Sequence, residues 1–269
     1  KRRREAKVDW SKTKTIFIVI FLVLDLFLLT VYVNKHSASQ FEIIEETSVE
    51  EKLKTDDIKY STLPEVEKEA PLVTAKTKVF SKRELILLDK QKITLSNDRT
   101  TLSSELEKPI ELGEEMEEAS KKFVKNYVLY VDKYGYWAYE KEENKIIFYQ
   151  QFKGKKLFEN INGQLVLQLN SKGELISYEQ TLLEQIEENG QEDVLPAIQA
   201  IQTLYKNGVI KPHSRISNAE FGYYTLVQLT ESQVLSPTWY FKVRHKDEEE
   251  HIFVNAFDGT INQTGNESK

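Results

Sequence analysis

The stretch TIFIVIFLVLDLFLLTVYV, residues 15–33, decides how the rest of the chain is read, and its one acidic residue is Asp25. At about 1.5 Å rise per residue, a helix of this length spans about 28 Å, close to the roughly 30 Å hydrocarbon layer of a bilayer. Its β-branched residues Ile16, Ile18, Val19, Ile20, Val23 and Val31 suit a strand in water. Lipid, however, offers backbone groups no partners, and only a helix satisfies them within the segment. The stretch is therefore expected to be a single transmembrane helix.

Charge orients it. Lys1, Arg2, Arg3, Arg4, Lys7, Lys12 and Lys14 precede the run, and only Lys35 follows it closely before acids dominate. Basic flanks stay in the cytoplasm. The expected order is a cytoplasmic tail (1–14), the membrane helix (15–33), a connector with a short helix (34–71), and two extracellular domains (72–185 and 190–265). The tail's charges would be attracted to an anionic inner leaflet by roughly 1 kcal/mol per basic residue. The chain opens without Met, and DWSKTKTIFI from Asp9 onward suffices as a membrane-insertion sequence. The competing reading is a cleavable signal peptide, with Ser37-Ala38-Ser39 as its cleavage candidate. Its apolar core would be 7 to 15 residues, shorter than the run observed.

No second apolar run of spanning length follows. Beyond the helix the chain is hydrophilic, with 30% of all residues charged, a mean hydropathy of -0.50, and enough aromatics (13 Tyr, 13 Phe) for genuine cores. The absence of cysteine excludes disulfides, thiol chemistry and Cys-based zinc sites. The net charge of -6 conceals a basic tail and a more acidic remainder. That balance argues against nucleic acid and against anionic lipid as external partners.

Ser48 followed by Glu51 predicts a capped short helix through Leu53. The segment from Asp56 to Pro71 reads as a linker. Weak strand signals occur at 72–80, 84–89, 92–95 and 100–106. Met116, Ala119, Phe123, Tyr127 and Val131 then recur at helical spacing, predicting a helix over 114–131 with Glu114 and Glu115 in its first turn. Strands are expected at 136–140, 145–152, 164–169 and 174–183. A second helix is expected over 192–207, with Val194, Leu195, Ile198, Ile201, Leu204 and Tyr205 inward, Pro196 near its first turn and Gly208 past its end. Strands at 217–229, 238–245 and 250–256 and a last one from Thr260 complete the pattern. Aligning Gly173 with Gly259, Leu167 with Phe253, and Leu175 with Ile261 predicts an α+β fold. Its repeated unit is one helix packed on a curled antiparallel sheet.

Candidates for chemistry are few. The four histidines, His36, His213, His245 and His251, have no metal-binding spacing; His245 and His251 flank an acidic turn but read as exposed hairpin residues. There is no GxSxG or phosphate-cradling glycine loop. No catalytic residue, metal or cofactor is expected. The aromatic tracts Phe221–Tyr224 and Thr238–Phe241 fit alternating core packing, or else an outward protein-binding face. Asp25 is the sharpest feature, because a carboxylate at the centre of a membrane helix costs about 2.5–3.5 kcal/mol unless it is protonated or paired. With Ile18, Leu22, Leu29 and Tyr32 it forms one helical stripe, a candidate surface for a partner membrane helix.

The opening DWSKTKTIFIVIFLVLDLFLL, residues 9–29, resembles the N-terminal signature of the YycI (WalI) regulatory proteins of low-GC Gram-positive bacteria. The match includes Asp9-Trp10, the Lys-Thr-Lys at 12–14, and Asp25 within the apolar run. The segment FVNAFDGTI, residues 253–261, is similar to the family's last domain. The resemblance implies a non-enzymatic protein of the cell membrane that acts beside the related protein YycH. It would adjust the sensor histidine kinase WalK (YycG) through transmembrane helix contacts and so influence cell-wall metabolism. It further implies helices packed on antiparallel sheets. A membrane-anchored extracellular binding or inhibitor module is the alternative.

Overall fold

The computed structural model describes residues 10–39, 46–88, 90–228 and 232–263. The chain divides after Glu50 into two compact units. In the first, α1 runs from Trp10 to Ser39, 30 residues or about 45 Å. It extends past the expected 15–33 at both ends, since nothing in residues 10–14 or 34–39 breaks a helix. Lys14–Val31 is the one segment among the described residues that is long and apolar enough to cross a membrane, with a mean hydropathy of 2.5.

After α2 (Glu46–Thr55), the elements in chain order are β1 (Lys59–Tyr60), β2 (Glu69–Thr77), β3 (Gln91–Leu95), β4 (Leu102–Glu111) and α3 (Met116–Tyr127). Then come β5 (Tyr134–Glu140), β6 (Lys145–Phe152), β7 (Lys155–Phe158), β8 (Gln164–Leu169), β9 (Glu174–Gln180) and β10 (Leu183–Asp193). The chain closes with α4 (Ala197–Lys206), β11 (Arg215–Gln228), β12 (Ser232–His245), β13 (Glu248–Asn255) and β14 (Ile261–Gln263).

A first sheet, ordered β3-β4-β9-β8-β6-β5, is wholly antiparallel. One of its faces packs Ile146, Phe148, Leu165, Leu167 and Tyr178 against Phe123 and Val124 of α3. A second sheet is ordered β10-β2-β12-β11, and the far half of β12 pairs with β13, which pairs with β14. β1 and β7 both lie parallel to β11, so the architecture is α+β with a mixed sheet rather than a purely antiparallel one. β7 also pairs antiparallel with β6 and thereby links the two sheets.

Several expectations are corrected. Residues 84–87 form a 3-10 turn instead of a strand, held by the Glu84 carboxylate, which accepts bonds from the Ser81 amide (2.6 Å) and hydroxyl (2.7 Å). Residue 89 lies outside the described residues. Ser48 is inside α2 and not its cap. Pro71 is within β2, so the linker is shorter than expected.

The second helix starts at Ala197, with Pro196 as its N-cap in an extended conformation. A residue preceding proline is kept out of the helical region. The amides of Val194 and Leu195 are instead bonded to Lys68 (2.8 Å) and Ala256 (2.8 Å). The expected strand over 174–183 is split, because the chain crosses from one sheet to the other at Thr181–Leu182. There the buried Gln150 amide stands in for a strand neighbour, donating to Leu183 O (2.8 Å) and accepting from Leu183 N (2.7 Å). β10 then pairs with β2 with register shifts between Glu184 and Glu187 and between Asn189 and Glu192.

Candidate functional site

Two places gather the residues singled out by sequence. The first is α1. Steps of four, three, four and three residues keep Ile18, Leu22, Asp25, Leu29 and Tyr32 within about 80° of arc. Ile18, Leu22, Asp25 and Leu29 are all exposed. The Tyr32 side chain lies outside the described residues, although its backbone continues the helix. Asp25 is the stripe's one ionisable carboxyl.

The second is the junction of the two sheets. Alternation along β11 and β12 sends Phe221, Trp239 and Phe241 to one face, where the Trp239 indole donates to Leu195 O (2.7 Å) just before α4. It sends Tyr224 and Tyr240 to the other. There Tyr240, Phe158 and Phe253 of the second sheet meet Ile147, Tyr149 and Trp137 of the first. The ring centroids of Trp137 and Tyr240 are 4.6 Å apart, those of Trp137 and Tyr149 5.1 Å, and those of Phe158 and Phe253 5.5 Å. The aromatic tracts are thus mostly buried between layers and are not an outward face. Gly222 permits this junction, because a Cβ there would lie 2.4 Å from Lys156 O and 2.5 Å from the Phe158 ring.

Polar groups rim the seam. Lys156 sits over the Trp137 ring and makes a two-pronged ion pair with Glu220 (2.6 and 2.9 Å). His251 is bonded to the Tyr240 hydroxyl (2.8 Å), and burial together with the nearby Lys242 pushes its pKa down. Register places His251 opposite Lys242 and His245 opposite Glu248, so the two histidines project from opposite faces of the hairpin. His245 bonds Ser214 instead (3.3 Å). Among the described residues, no group of three or more His, Asp or Glu side chains could hold a metal ion.

Burial, and next the like charge of Glu140, push the carboxyl of half-buried Glu159 up to about 7. Trp137, Phe158 and Glu159 were missed in sequence. Their one signal, a tryptophan in the aromatic strand YGYWAYE, does not say which sheet it faces. Elsewhere, an open cleft of about 800 Å³ at the start of α3 is lined by Met116, Tyr136, Tyr139 and the acidic run Glu114–Glu118.

The YycI protein family matches residues 38–257. The chain belongs to the YycI family. YycI proteins are accessory regulatory proteins of the WalK system. The matched span begins near the end of α1, so the Asp25 stripe lies outside it and rests on the chain's own sequence. No curated protein sequence matches significantly. Among solved structures, the chain is similar to an uncharacterized protein from Eubacterium rectale ATCC 33656, at 11% identity and a TM-score of 0.47, over 78% of this chain and 92% of that one. It is also similar to the Bacillus megaterium YpeB C-terminal domain, at 12% identity and a TM-score of 0.40, over 83% and 99% of the respective chains.

Proposed function

We propose that this YycI-family chain is a non-enzymatic, single-pass regulator of the sensor histidine kinase WalK. Its N-terminus is cytoplasmic and the unit from Glu51 onward is extracellular. Ile18, Leu22, Asp25, Leu29 and Tyr32 form its contact with a partner membrane helix, and the external unit pairs with a YycH-like protein. The observation that carries the reading is an apolar helix with one acid on a single stripe, joined to a chain that belongs to a family of WalK regulators. A carboxylic acid in lipid gains most when it bonds a polar group of a neighbouring helix. A difference of about 1–3 kcal/mol between contacts with two kinase states shifts output several-fold to about a hundredfold.

The external unit is built as two copies of one helix-plus-sheet design. Supporting this, Gly173 and Gly259 both adopt left-handed φ (79° and 72°) in the turns of β8–β9 and β13–β14. A Cβ at Gly173 would point at Met116 of α3, and one at Gly259 at Thr203 of α4.

The test is a chimera that carries residues 1–40, hence all of α1, on an inert external domain, assayed with a WalK-dependent promoter. Retained regulation that is lost on Asp25→Leu is the expected result, together with loss of kinase co-purification. If the chimera is silent and Asp25→Leu leaves the full chain's regulation intact, the activity lies outside the membrane, as in a binding or inhibitor module.

A further inference from the structure

We propose that the β7 bridge between the two sheets is a proton-controlled joint, closed when the Glu159 carboxyl is protonated and loosened when it is ionised. The joint is slender. β7 holds the first sheet through Gln151↔Lys156 and Phe152↔Lys155 and the second through Tyr223↔Leu157 and Tyr224↔Phe158. In the strand order it is the element that lies between β6 and β11. Glu159 is the next residue, held at φ 50° and half-buried where both sheets meet.

The groups around it come from four strands. From β5 comes Glu140, which is itself paired with Lys145 (2.9 Å). Tyr149 of β6 hydrogen-bonds the Glu159 backbone, and Tyr224 of β11 hydrogen-bonds its carboxyl. Tyr240 of β12 also feels its charge. None of these is a cation. Along the same strands, Lys156 is paired with Glu220 and Lys242 with Glu249 (2.7 Å). Ionising Glu159 therefore places a negative charge, met by the Tyr224 hydroxyl, among aromatic rings and beside a second carboxylate, at the residue that anchors the end of β7.

The sign follows from the raised pKa of about 7 against 4.5 for the free side chain. Between those values the closed form holds a proton that the open form lacks. The advantage of closure is present at mildly acidic pH and is lost as pH rises through about 7. His251 is held below its ordinary value of 6.5 and titrates in a lower window. This inference concerns the external unit's own mechanics and stands independently of the kinase assignment.

The test is hydrogen exchange followed by mass spectrometry on the full chain in detergent micelles, from pH 6 to 8.5, with rates corrected for intrinsic exchange. Peptides covering 155–158 and 221–226 are expected to lose protection by about tenfold over this range, while β8 and β9 stay constant. Glu159→Gln, permanently neutral, is expected to remove the pH dependence. Glu140→Gln is expected to keep it but shift its midpoint to lower pH. Unchanged protection in the wild type, or the same pH dependence in Glu159→Gln, overturns the proposal. If Glu159→Gln fails to fold, an unmoved midpoint in Glu140→Gln overturns it.

Discussion

Glu84 anchors the 3-10 turn to the rest of the first sheet's core, and its replacement by Gln should weaken the unit that begins at Glu51 by about 2 kcal/mol at neutral pH. The carboxylate takes bonds from the Ser81 amide and hydroxyl and from the Tyr130 hydroxyl, and pairs with Lys78 (3.2 Å). Lys78 also reaches Glu184 (3.3 Å) and lies over the Tyr130 ring. Partial burial opposes ionisation, but the bonds from Tyr130, Ser81 and Lys78 outweigh it and hold the Glu84 carboxyl down at about 2, against 4.5 when free. A displacement of that size corresponds to about 3 kcal/mol. The side chain is 23% exposed, so solvent screening lowers the expected value to about 2 kcal/mol. Because the folded pKa is depressed, this stability is fully present above pH 4.5 and is lost as pH falls toward 2. Urea unfolding in micelles, repeated from pH 7 down to pH 3, should show wild-type stability declining below pH 4.5 and a shallower decline in Glu84→Gln. Equal stability of the two proteins at pH 7, or an identical acid slope, refutes the reasoning.

Two further perturbations probe the packing. Gly222→Ala should cost about 1–3 kcal/mol in the same urea assay and raise exchange in β7, since its methyl group displaces the Lys156 carbonyl and the Phe158 ring. Trp239→Phe should lower stability by about 2–3 kcal/mol, read as a fall in thermal midpoint. The fully buried indole leaves both a void and an unmet bond to Leu195 O.

Local pattern carried most of the elements. β6 and β8 lie where alternation puts them, and α3 and α4 fall within the periodic runs around Phe123 and Ile201. β10 escaped notice because Glu184, Glu187, Glu188, Glu192 and Asp193 make it look like a solvated loop. Charges of this kind are normal on a strand whose second edge faces water. β7 escaped because four residues are too few for any period to register. The 3-10 turn escaped because its cause, the Glu84 bond to Ser81, is an individual contact and not a pattern. For the same reason the stripe on α1 was legible at once and the seam was not. A helix face follows from spacing alone, whereas Trp137, Tyr149 and Tyr240 meet only after β5, β6 and β12 have been assembled into different sheets.

By itself the sequence determined the membrane-length helix, the Asp25 stripe, the α+β class and the family. Each of these depends on local composition, on spacing along one element, or on a motif, so no distant contact is needed to define it. The tertiary structure alone decided that β7 joins the two sheets in mixed pairing, that Tyr224 and Tyr240 turn inward at that joint, and that Glu159 sits there beside Glu140. Those outcomes depend on which strands pair and in what register, and a residue shift of one position would have sent each side chain to the opposite face.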